Sequence, residues 1–140
     1  MTETLETPDF LAEAGVRWVA DWVADDLPCR LKTRHGELLT MPYSVEMNDI
    51  PVQMIQHHAA GERAARALAT ADRLLAEAGS DGPLGGAKIM SFAIHPYITG
   101  VPHRIGILEG LLDALMAREG VAFMQGDDIA QWYRSTGAHV

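Results

Sequence analysis

Apolar and polar positions follow two rhythms along this chain, a helical one and a strand-like one, and they alternate. The clearest helical stretch is Gly61–Ala78, where alanines, leucines and paired charges are all strong helix formers and Gly79 ends the run. Pro102–Arg118 is a second long helix: Ile105, Leu108, Leu111, Leu112 and Leu115 recur at helical spacing, and Gly120 stops it. Two shorter helices flank these. Asp9–Ala14 has Thr7 as an N-cap, Pro8 at the first helical position and Gly15 behind it; the other runs from Asp127, as cap, through Tyr133. Four runs read as strands: Val16–Ala20, Leu38–Tyr43 (ended by Pro42), the almost wholly apolar Lys88–Ile94, and Val121–Met124. Asp21–Leu27, Ser44–Pro51 and Ser80–Gly86 are polar or glycine-rich and read as loops and turns.

Strands alternating with helices predict a parallel α/β architecture. At 140 residues the chain is expected to form one domain. A parallel sheet normally hides both faces and both edges, and four strands are few for that. The pattern therefore implies part of a larger core.

Composition is ordinary for a globular protein, with 48% hydrophobic and 21% charged residues. The net charge of -8 and the scatter of the eleven basic residues argue against nucleic acid as a partner. Cys29 is the single cysteine, so no intrachain disulfide is possible, which fits a reducing compartment. Met1–Phe10 lacks the basic and apolar regions of a signal peptide, and no apolar run approaches the roughly 18 residues of a membrane helix. A cytoplasmic location, with no membrane association, is the expectation.

Candidate chemistry gathers at His95, in Ile94-His95-Pro96-Tyr97, directly after the most apolar run. Ligands in parallel α/β folds bind beyond the carboxyl ends of strands, and an imidazole titrates where it can give or take a proton near neutrality. A histidine that merely bonds a nearby backbone group fits the position equally well. Asp21, with Asp25 and Asp26 behind it, follows another β-rich run and could share a sheet face with His95, orienting the imidazole; a solvated acidic loop is the plainer reading. Tyr43, Glu46, Asn48 and Asp49 could line a pocket or simply form an Asx-rich turn. His57, His58 and His103 lack the i, i+4 spacing of helical metal ligands, and Gly82, Gly85 and Gly86 precede a strand-like run where a phosphate loop would follow one. Met90, Met116 and Trp132 are read as packing residues.

Three segments, Leu11–Pro28, Met41–Pro51 and Met90–Arg104, with Gly120–Phe123 downstream, resemble the latter half of polysaccharide-deacetylase-like proteins of the NodB-homology superfamily. The branch that holds the puu-type allantoinases and cyclic imide hydrolases is the most similar. The resemblance implies an α/β fold, the C-terminal half of a deformed parallel (β/α) barrel, that hydrolyses C–N bonds of amides, cyclic imides or ureides. It implies His95 as general acid, Asp21 as its support, and Tyr43, Asn48, Asp49 and Tyr97 as substrate contacts. Such proteins are roughly twice as long, and their first half supplies a catalytic-base aspartate and, in some, an Asp-His-His site for a divalent metal such as zinc. No counterpart of that half is found here, so no metal or other cofactor is expected in this chain.

The resulting expectation is the C-terminal part of a hydrolase, completed by a separate N-terminal half and acting on a small amide, imide or acetylated sugar; the expected partner is that half or further copies of the chain. The alternatives are a non-catalytic relic or oligomerising scaffold of the same fold, and a small α/β binding module.

Overall fold

The structure is a computed structural model that describes residues 3–81 and 85–136. The chain divides into two compact units, Met1–Tyr43 with Phe123–Val140, and Ser44–Ala122.

Among the described residues, the first unit is built on a three-stranded sheet. Helix α1 (Thr7–Glu13) precedes strands β1 (Trp18–Val19), β2 (Cys29–Thr33) and β3 (Gly36–Thr40), and helix α5 (Gly126–Thr136) closes the unit. The strand order is β1-β3-β2, with β1 parallel and β2 antiparallel to β3. The β2–β3 hairpin turns through Arg34 and His35 onto Gly36, whose φ of 110° suits a residue without a side chain. The Thr33 hydroxyl donates to the Gly36 carbonyl at 2.6 Å and accepts the His35 N–H at 3.2 Å, which stitches the turn. Asp9 of α1 accepts the Arg34 backbone N–H at 2.7 Å and pairs with its guanidinium at 3.2 Å. Leu39, Met41, Ala130 and Tyr133 form the core, with Trp18, Ala20 and Ile129 against it.

The second unit holds the 3-10 turn Val45–Met47, the π-helical turn Ile50–Ile55, and helices α2 (Ala60–Ala78), α3 (Pro96–Thr99) and α4 (Pro102–Met116). Helices α2 and α4 present matched one-turn pairs. Ala67 and Ala71 face the core from one, Leu111 and Leu115 from the other, and the small side chains let the leucines approach closely. Met47 completes this cluster, and Met90 and Phe92 pack on it from the extended stretch before α3. Arg118 reaches back to Asp72 of α2 at 2.7 Å.

The helices follow the sequence pattern closely; the strands do not. Val16–Ala20 and Leu38–Tyr43 contain β1 and most of β3, but Lys88–Ile94 and Val121–Met124 enter no ladder among the described residues. An apolar run becomes a strand only when a neighbour takes its backbone groups. Around Lys88–Ile94 those bonds go elsewhere: the Ala93 carbonyl receives the Asp49 N–H and the Arg63 guanidinium. Antiparallel pairing replaces the wholly parallel sheet because Cys29–Thr33, unassigned in the sequence reading, folds back on β3 as a hairpin. Ser44–Pro51, read as a turn, winds into the 3-10 turn and the start of the π-helical turn. Part of the Ser80–Gly86 loop lies outside the described residues.

Candidate functional site

Pro96 organises the site. A proline disfavours the helical region for the residue before it, and His95 is accordingly extended, at φ -114° and ψ 126°. Pro96 then opens α3, a single turn in which the Ile98 and Thr99 N–H groups both donate to the His95 carbonyl at 2.9 Å. Thr99 lies one turn beyond His95, so its hydroxyl returns to the side of the His95 backbone N–H.

Asp49 meets both groups. Its Oδ2 accepts the His95 N–H at 2.7 Å and the Thr99 hydroxyl at 2.6 Å, while its Oδ1 lies 2.6 Å from His95 Nδ1. Asn48 frames the turn that presents it, its Oδ1 accepting the Ile50 N–H at 2.9 Å. Asp49 is fully buried, and the His95 side chain keeps about a third of its surface exposed, at 34%.

Burial alone would raise the Asp49 carboxyl. The hydrogen bonds from Thr99 and from the His95 backbone and ring, with the imidazole's charge, outweigh burial and hold the carboxyl below the ordinary carboxylate range. An ionised carboxylate only accepts hydrogen bonds, so Nδ1 carries a proton and Nε2 is left to exchange one with a ligand.

Arg63 of α2, only 3% exposed, lies behind this pair. Its Nη2 donates to Thr99 Oγ1 at 2.9 Å and its Nη1 to the Ala93 and Met47 carbonyls at 3.1 and 3.4 Å, while the guanidinium stacks on Phe92, 4.2 Å from the ring centroid. Burial lowers the pKa of this guanidinium and the Asp49 carboxylate opposes that shift.

The residues singled out in the sequence fall in both units. Asn48, Asp49, His95 and Tyr97 belong to the second unit; Asp21 and Tyr43 belong to the first. Asp21 is exposed on the bend after β1. The carboxylate on the imidazole is Asp49, a residue for which the resemblance implies a substrate contact. Tyr97 is exposed and meets the His95 ring edge-on, with centroids 5.7 Å apart. Thr99 and Arg63 were not singled out. The signals were present: Thr99 stands one helical turn after His95, and Arg63 shares the i, i+4, i+8 face of Ala67 and Ala71. His58 pairs with Glu62 at 2.8 Å, at the start of α2.

The divalent metal implied by the family resemblance finds no fit in these residues. Among the described residues no three His, Cys, Asp or Glu side chains converge, and both Asp49 oxygens are already engaged. No described helix is long and apolar enough to cross a membrane.

An imidazole held by a buried carboxylate is chemically able to exchange a proton, and the fold that carries it has relatives. The chain is 28% identical to a solved structure titled "probable Polysaccharide deacetylase" from Pseudomonas aeruginosa PAO1, with a TM-score of 0.74, over 93% of this chain and 43% of that one. It is also 29% identical over 111 residues, 79% of this chain and 34% of the relative, to a Schizosaccharomyces pombe protein named "Putative polysaccharide deacetylase". No family model matches the chain. The fold is α/β and polysaccharide-deacetylase-like, and the chain spans less than half the length of either relative.

Proposed function

We propose that this chain is the C-terminal part of a hydrolase of non-peptide C–N bonds, in which His95 is the general acid and Asp49 holds it. The observation that carries the reading is the double attachment of His95 to one buried carboxylate, by its backbone N–H and by Nδ1. That attachment fixes the ring while leaving Nε2 to act. As the carbonyl carbon is attacked, the leaving nitrogen gains basicity. A proton passed from Nε2 to that nitrogen lets it depart as a neutral amine or amide, and the neutral imidazole then recovers a proton from solvent. Tyr97 is proposed as a substrate contact, because it is exposed and packs edge-on beside the His95 ring. Asn48 and Tyr43 are proposed as further contacts on the strength of the family resemblance.

Both oxygens of Asp49 are committed, so the base that activates water comes from elsewhere. We assign it to a separate N-terminal half, on the strength of the family resemblance. Within the wider family the allantoinase and cyclic imide hydrolase branch is the proposed neighbour, and a cyclic imide or ureide the proposed substrate. A cytoplasmic location is part of the same proposal.

Co-expression with a first-half polypeptide, followed by assays on a cyclic imide, allantoin and an acetylated sugar, tests the reading. The chain alone should be inactive on all three, with or without added zinc. The pair should turn over one of them, and His95→Ala should abolish most of that rate without dissolving the complex. An active pair indifferent to His95→Ala would refute the assignment.

A further inference from the structure

Thr99 and Arg63 form a layer behind the His95–Asp49 pair that the family resemblance does not name. A threonine hydroxyl has one proton to give and lone pairs to receive. Arg63 Nη2, 2.9 Å away, can only donate, so it occupies a lone pair of Thr99 Oγ1. The single hydroxyl proton is thereby directed onto Asp49 Oδ2, at 2.6 Å. With the His95 N–H on the same oxygen, Oδ2 holds two donors, and Oδ1 is turned to Nδ1. Arg63 cannot drift, because two backbone carbonyls and the face of Phe92 hold its guanidinium.

A buried guanidinium and a buried carboxylate would ordinarily be expected to pair directly, since each is costly to bury alone. Here a hydroxyl stands between them. A direct bidentate pair would occupy both carboxylate oxygens; the interposed hydroxyl leaves Oδ1 for the imidazole.

We infer that Thr99 and Arg63 are positioning residues, a hydroxyl relay that orients the Asp49 carboxylate and so fixes the ring orientation and tautomer of His95. This rests on the reading of His95 as the acid, because a fixed Nδ1–H tautomer matters only if Nε2 does the proton transfer. The relay itself is open to measurement without turnover.

The experiment is nitrogen-15 NMR of the imidazole in the full chain, at a pH where His95 is neutral. The wild type should show one pyrrole-type and one pyridine-type ring nitrogen, the latter Nε2. Thr99→Val keeps the shape and removes the hydroxyl; the two shifts should draw together as the tautomers mix. Thr99→Ser, which restores a hydroxyl, should restore the separation. Arg63→Gln should give an intermediate separation, because the hydroxyl loses its fixed direction. A folded Thr99→Val chain with wild-type ring shifts would overturn the proposal. Should Thr99→Val not fold, the wild type decides: a Thr99 hydroxyl proton protected from exchange, with a cross-peak to the His95 amide, supports the relay, and an unprotected one overturns it. If the relay holds while His95→Ala is silent in the active pair, the hydrolytic reading fails and the relay stands.

Discussion

At the scale of single residues the site hangs on Asp49, whose two oxygens meet the His95 N–H, the Thr99 hydroxyl and His95 Nδ1. His95 was legible as a candidate from its place between an apolar run and a proline. Its partner was not, because 46 positions separate Asp49 from His95 and nothing local distinguishes Asp49 from Asp21 or Asp26. Arg63 was hidden for a different reason, since one arginine in a charged helix reads as solvated surface. The buried carboxylate has a consequence for pH. Its pKa is lowered in the folded chain, so its contribution is complete above the unfolded value of about 3.9 and is lost as pH falls through the lower folded value. Asp49→Asn should be less stable at pH 7 by about 1–3 kcal/mol, because its amide cannot accept from three donors and leaves at least one unsatisfied. The gap between wild type and variant should narrow as pH drops below about 3.9. Urea midpoints at pH 7 and pH 3 check both statements; an equal gap at the two values would mean the carboxylate is not stabilised by its donors.

Helices survived the passage from pattern to structure because their backbone bonds are internal to each segment. Two of the four expected strands did not, because a ladder needs a second segment, and an apolar run such as Lys88–Ile94 cannot name its own. The hairpin has a readable signal in the alternation of Cys29 and Leu31 with Arg30 and Lys32 ahead of Gly36. At this scale two substitutions report on how the site is held. Leu111→Ala, in the buried α2–α4 seam, should cost about 2–5 kcal/mol in chemical unfolding. Gly100→Ala is a steric test of α3: a Cβ there would stand 2.6 Å from the Pro96 carbonyl oxygen, so the turn must open. Because that turn starts at His95 and carries Thr99, its opening should shift the His95 amide resonance more than Leu111→Ala does. An unshifted His95 amide would mean the turn tolerates the methyl group and does not discipline the site.

At the scale of the whole molecule, the chain covers 34% and 43% of two relatives, and among the described residues its sheet has three strands, two of them edges. Unpaired edges seek partners, so the isolated chain is expected to sediment as more than one copy of its 15.2 kDa, and a compact monomer at micromolar concentration would contradict that. Beyond the presence of turnover, the proposed role of His95 concerns where the proton goes, and a leaving-group series measures it. Acyl anilides of graded leaving-group basicity, offered to the reconstituted pair, should show the largest penalty for His95→Ala, about 10²–10⁴-fold, with the most basic leaving nitrogen. The penalty should shrink steadily as the leaving nitrogen becomes able to depart unprotonated. A penalty of the same size across the series would contradict the account, since His95 would then serve some step other than departure.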